Sequence, residues 1–169
     1  MEKSLSFFRV FDVAFFVPGV LLFGAFWHAG FLLAQCLPGE ANTAHQTLTV
    51  VLAIVLIYAL GLLCHGIQRG LLSVKCIKQW LARLPGPPNP DPWFANLRAN
   101  DPRHDLALYF WYMRATCWNL AVAIVPGAMI YYGEWDGGTW VAFFIGVLIA
   151  WGLCFLGRDF DQSMRKAAS

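Results

Sequence analysis

The chain has 169 residues, of which 59% are hydrophobic, 16% aromatic and 13% charged, with a net charge of +2. Soluble domains carry about 25% charged residues, and a water-soluble fold of this size has too little interior to hide so much apolar surface. An ordinary soluble domain is therefore excluded, and the expected class is an all-α polytopic membrane protein with lipid around its apolar stretches.

The first apolar run, residues 11–34, follows Lys3 and Arg9. It is too long for the hydrophobic region of a cleavable signal and lacks a small-residue cleavage site, so a first transmembrane helix is predicted. Pro18 and Gly19 fall inside it. Proline removes a backbone donor and glycine removes a side chain, so the pair is a candidate hinge and a place for close helix approach. A short loop with Pro38, Gly39 and Glu40 leads to the second run, residues 48–67, which carries Gly61 and Gly66 as candidate packing positions.

Residues 68–105 form a basic middle loop in two parts. From Gly70 to Leu84, apolar residues recur on one helical face, with Lys75, Lys78 and Arg83 largely off it. This spacing predicts an amphipathic helix that lies on the membrane or continues the second span. Pro85 stops it, and the run PGPPNPDP favours an extended polyproline path. Lys75, Lys78, Arg83, Trp93, Arg98 and Arg103 are candidate contacts for anionic lipid or for a protein partner. Basic residues spread this thinly reflect membrane topology more readily than nucleic-acid binding.

Asp101 and Pro102 suit the start of a helix, and the third run covers residues 106–132. It holds a second candidate hinge, Pro126 and Gly127, and one cation, Arg114. A charge inside a span is costly and normally faces protein or water. Asp12, at the start of the first span, is the expected partner at similar depth, with Asn119 and Tyr58 as further hydrogen-bonding groups. An arginine snorkelling to the headgroups and an anion contact beside a pore are the alternatives. The fourth run, residues 140–156, carries Gly152 and Gly157 as packing candidates, and Arg158, Arg165 and Lys166 follow it as a basic tail.

Eleven of the twelve lysines and arginines lie in the N-terminal tail, the middle loop and the C-terminal tail, and the twelfth is Arg114. The loops 35–47 and 133–139 have none. The positive-inside rule then places both termini and the middle loop in the cytoplasm, with two hairpins dipping through the membrane. Val17-Pro18-Gly19 recurs as Val125-Pro126-Gly127, which fits either a parallel duplication of one hairpin or chance similarity between apolar helices.

No catalytic or cofactor pattern stands out. His28 and His65 fall at different depths, which argues against a haem held between two histidines. The five cysteines contain no C-x-x-C pair. No cofactor, metal site or enzymatic activity is expected.

The segment Phe11-Asp12-x-x-Phe15-Phe16-x-Pro18-Gly19, the Tyr58-to-Gly61 spacing and the arginine early in span three resemble a broad set of small bacterial four-span membrane proteins, some of which accompany antiviral defence genes. The resemblance implies a bacterial inner membrane and a component that works with a cytoplasmic partner. The expected function is a non-enzymatic, homo-oligomeric membrane subunit or scaffold. A pore or membrane-permeabilising effector is the first alternative, and a small subunit of a redox complex the second.

Overall fold

A computed structural model describes residues 2–30, 43–83, 102–132 and 137–168. Among these residues the chain is entirely helical: α1 runs Glu2–His28, α2 Thr43–Ser73, α3 Lys75–Ala82, α4 Pro102–Tyr132 and α5 Gly137–Ala168. Three stretches, Thr47–Ser73, Arg103–Tyr132 and Gly138–Ala167, are long and apolar enough to cross a bilayer, as a multi-pass membrane protein requires. The described apolar part of α1, Val13–His28, is shorter.

The boundaries differ from the sequence expectation mainly at the basic end. The stretch after residue 156 is not a free tail: α5 continues as helix to Ala168 and totals 32 residues. That is roughly 48 Å of helix against about 30 Å of hydrocarbon, so α5 outruns the apolar layer. The helix expected over residues 70–84 is split, its first turn belonging to α2 and the remainder to α3. The break has a local cause. The Ser73 hydroxyl donates to the Gly70 carbonyl at 2.6 Å, the acceptor that the Val74 amide would otherwise take in an α-helix. Val74 N–H turns instead to Leu71 O at 3.0 Å. At the other boundary Pro102 opens α4, where a missing N–H costs nothing.

The helices alternate in direction. Ala14 packs beside Ala115 and His28 stacks on Tyr131 with ring centroids 4.0 Å apart, so α1 and α4 run parallel. α4 and α5 run antiparallel, with Ala107 against Met164 at one end and Gly146 against Ala128 towards the other. α4 is the central element: it packs extensively on α5 and α1, and less on α2. Its inward positions Ala107, Ala115, Cys117, Ala121 and Ala123 are small and buried, which lets three neighbours approach its backbone. α2 packs chiefly on α1. Its outer face, including Val51, Leu52, Val55, Leu62 and Leu63, stays exposed, as does the Phe144, Leu148 and Trp151 face of α5. Such uninterrupted apolar exposure is intolerable in water and normal against lipid.

The α1–α2 crossing is the tightest contact. A Cβ on Gly19 would strike the Ile57 carbonyl, and a Cβ on Gly61 would strike the Phe15 carbonyl. Each glycine thus lies directly on the other helix's backbone. The preceding Pro18 is buried and sits within unbroken helix. Its ring leaves Ala14 O without the usual donor four residues on. The Asn119 side-chain amide of α4 supplies one, at 2.9 Å.

The second proline-glycine pair is placed differently. Pro126 faces outward, and Gly127 meets the side chain of Leu21 on α1 rather than its hairpin partner α5. Gly61 is buried at a crossing whereas Gly152 is exposed with open space around it. The repeated motifs therefore occupy unlike packing environments.

Candidate functional site

The polar side chains of the bundle gather at the end where α4 begins and α5 finishes. Arg114 on α4 donates through Nη1 to Asp161 Oδ1 on α5 at 2.5 Å, and Arg165 Nε donates to Asp161 Oδ2 at 2.9 Å. Side-chain exposure is 2% for Asp161, 4% for Arg165 and 11% for Arg114, so the triad is withdrawn from solvent. The spacing of Asp161 and Arg165 puts both on one face of α5, and that face is turned towards α4.

Arg114 also lies between two indoles, its guanidinium carbon 5.3 Å from the Trp118 ring centre and 6.0 Å from that of Trp111. Aromatic faces attract a desolvated cation. They supply what water would otherwise give on the flanks. Trp118 is itself fixed: its indole fills the space left by Gly157, and its N–H points to Cys154 O at 3.4 Å. The glycine on α5 thus sets the position of one wall around Arg114.

Two guanidiniums share one carboxylate, and Arg69 on α2 lies near enough to add a further repulsion on Arg114. Arg114 Nε is buried without a hydrogen-bond partner. Both oxygens of Asp161 accept from arginine, so the carboxylate has no free edge aimed at a substrate. The arrangement is suited to locking α4 to α5 and to holding a positive potential at this end, rather than to proton transfer.

About one turn deeper, Asn119 ties three helices together. Its amide donates to Ala14 O on α1, and its oxygen lies 3.4 Å from His65 Nδ1 on α2. Phe15 packs its edge on the His65 ring at 5.1 Å.

The residues singled out in the sequence divide clearly. Arg114 is at the centre of the cluster, with Asp161 as the carboxylate described on it. The Asp12 side chain lies outside the described residues, as do Trp93 and Arg98. Asn119, expected beside Arg114, instead serves Ala14 and His65. Pro18, Gly19 and Gly61 meet at the α1–α2 crossing, and Gly127 and Gly157 accept neighbouring side chains. Gly66 and Gly152 are exposed, with no atom near the point that an added methyl would occupy. Lys75, Lys78, Arg83 and Arg103 are exposed at the basic end. Asp161 and Arg165 escape a reading of the sequence because they follow the last apolar run. Their four-residue spacing is the signal that could have found them.

No protein-family model, curated protein or solved structure matches this chain. The class is defined by the architecture alone: a multi-pass helical membrane bundle with a buried charge cluster at one end.

Proposed function

We propose that the chain is a non-enzymatic subunit of a bacterial inner membrane, crossing it four times with both termini in the cytoplasm. It self-associates and presents its basic end to a cytoplasmic protein, in a defence or stress system of the kind its first-span motif suggests. The observation that carries this reading is the construction of the basic end. α5 extends beyond the apolar layer, and Arg114, Asp161 and Arg165 clamp that extension to α4. Lys75, Lys78, Arg103 and Lys166 are exposed on helices there. A clamped, cationic helical end is a preorganised docking surface, which lowers the ordering cost of binding.

A conducting path is less well supported. Thr116, which with Arg114 and Asn119 forms the polar stripe of the third span, donates to Tyr112 O of its own helix at 2.9 Å. Asn119 and Arg114 are likewise committed to neighbouring helices, so each of these side chains already has a partner within the bundle.

The test is purification of the tagged chain from native membranes in mild detergent. The wild type should elute as an oligomer with a stoichiometric cytoplasmic protein, and Lys75→Glu with Lys78→Glu and Arg83→Glu should lose that protein while keeping the oligomer. A monomer without a partner overturns the proposal.

A further inference from the structure

A groove opens sideways into the bilayer region between α2 and α5, which make no substantial contact with each other. Its volume is about 650 Å³, within the range of about 300–1,000 Å³ typical of small-molecule sites. Trp118, Ala121 and Val122 of α4 form the floor, and Val147, Ala150 and Trp151 of α5 one wall. α3 closes the basic end with Ile77 and Trp80. Trp80 is held there by Arg158, whose guanidinium carbon lies 4.4 Å from the ring centre, and by the edge of Phe155.

Gln68 is out of place in this apolar lining. It is only 6% exposed, it lines the groove, and its side-chain oxygen is buried without a hydrogen-bond partner. An unmet buried acceptor is destabilising, and a donor brought by a ligand would remove that cost. The mouth beside it is cationic. Arg158 lies over Trp80 and Arg69 follows Gln68, whereas Lys75 and Lys78 are exposed on the side of α3 turned away from Ile77 and Trp80. Even counting Asp159, next to Arg158 in sequence, the mouth stays positive. From Arg158 to Val147 along α5 is roughly 16 Å of helix, about half the hydrocarbon thickness. The groove is thus apolar over the depth of one leaflet, polar at Gln68 and positive at the interface.

We infer that this groove binds an anionic glycerophospholipid of the leaflet on the basic side. An acyl chain lies along Ala121, Ala150 and Trp151. The phosphate rests against Arg158, and a head-group hydroxyl donates to Gln68. A second copy of the chain satisfies the apolar wall but not the charge at the mouth, and a zwitterionic lipid without a hydroxyl satisfies neither Gln68 nor that charge.

The full-length protein, purified in detergent and delipidated, is titrated with phosphatidylglycerol or phosphatidylcholine in mixed micelles. Binding is read by native mass spectrometry and by the rise in unfolding temperature. Cations at a membrane interface each contribute enough to make a preference of about tenfold for phosphatidylglycerol the expected result. Ala150→Trp, which fills the groove, should abolish the stabilisation. Arg158→Glu, at the groove mouth, should erase the preference while circular dichroism shows the helical fold retained, and Gln68→Leu should weaken it. Equal affinity for the two lipids overturns the inference, as does undiminished phosphatidylglycerol binding by the charge-reversed or the groove-filled protein. A wild-type dimer that Ala150→Trp converts to a monomer also overturns it, by assigning the groove to a second copy. Should Ala150→Trp fail to fold, the charge-reversed protein decides the question.

Discussion

Replacing Asp161 by alanine should be the most damaging single change in the bundle. The carboxylate is 2% exposed and receives hydrogen bonds from two guanidiniums. Without it, Arg114 and Arg165 lose the carboxylate they share, and Arg69 adds to the repulsion on Arg114. Removing one partner of a buried ion pair costs about 3–5 kcal/mol, because the remaining charge is stranded. Arg165 lies near the end of α5 and can relieve part of this by swinging to water, whereas Arg114 sits deeper between Trp111 and Trp118. Arg114→Leu is a different case. It leaves Asp161 paired with Arg165, so its cost is the lost charge-assisted hydrogen bond, about 1.5–3 kcal/mol. The order of stability should therefore be wild type, then Arg114→Leu, then Asp161→Ala. Unfolding by SDS in mixed micelles, checked by circular dichroism during heating, measures both. For a chain of this length 3–5 kcal/mol corresponds to roughly 6–20 °C in unfolding temperature. If Arg114→Leu proves as harmful as Asp161→Ala, or if Asp161→Ala costs less than about 1 kcal/mol, the cluster is not what clamps α4 to α5.

Other outcomes follow from the same geometry. Gly19→Ala and Gly61→Ala each push a methyl into a backbone carbonyl and should destabilise by about 1–3 kcal/mol or more in the same unfolding assay. Gly66→Ala and Gly152→Ala meet open space and should be neutral or gain up to about 1 kcal/mol from helix propensity; a large loss there would reveal a contact with another chain. Asn119→Ala strands the Ala14 carbonyl and should cost about 1–3 kcal/mol. Adding Pro18→Ala restores the donor at position 18, so the double variant should recover part of the loss. Simple additivity in that cycle would show that Asn119 does not serve the proline gap. A fluorescent protein fused after Ser169 should light up and alkaline phosphatase fused there should stay inactive; the reverse pattern refutes the proposed orientation.

Much of the helical architecture was legible because lipid leaves a direct mark on sequence. Runs of apolar residues long enough to span a bilayer locate α2, α4 and α5, and a lone arginine within such a run marks the cluster on α4. Asp161 was hidden for two reasons. It is 47 residues from its partner, and its surroundings, Arg158 to Lys166, have the polarity of a solvated tail. Depth pointed to Asp12, whose side chain lies outside the described residues; the antiparallel packing of α4 on the end of α5 is a tertiary fact that no local pattern encodes. The same limit applies to Gln68: one amide beside a cluster of basic residues looks interfacial until α3 folds over it. Pro18 and Gly19 read as a candidate hinge; what no local pattern shows is that Asn119 meets the Ala14 carbonyl and that α2 lies against Gly19.

The bond from Asn119 to Ala14 has a bearing on how the molecule is made. When α2 first enters the membrane with α1 packed on it, the Ala14 carbonyl is already bare, and the side chain that meets it lies 105 residues further along. Until α4 is inserted beside them, water or the insertion machinery must occupy that acceptor. One imino acid thus gives biogenesis a sequence of events, in which the early hairpin is provisional and the later one completes it.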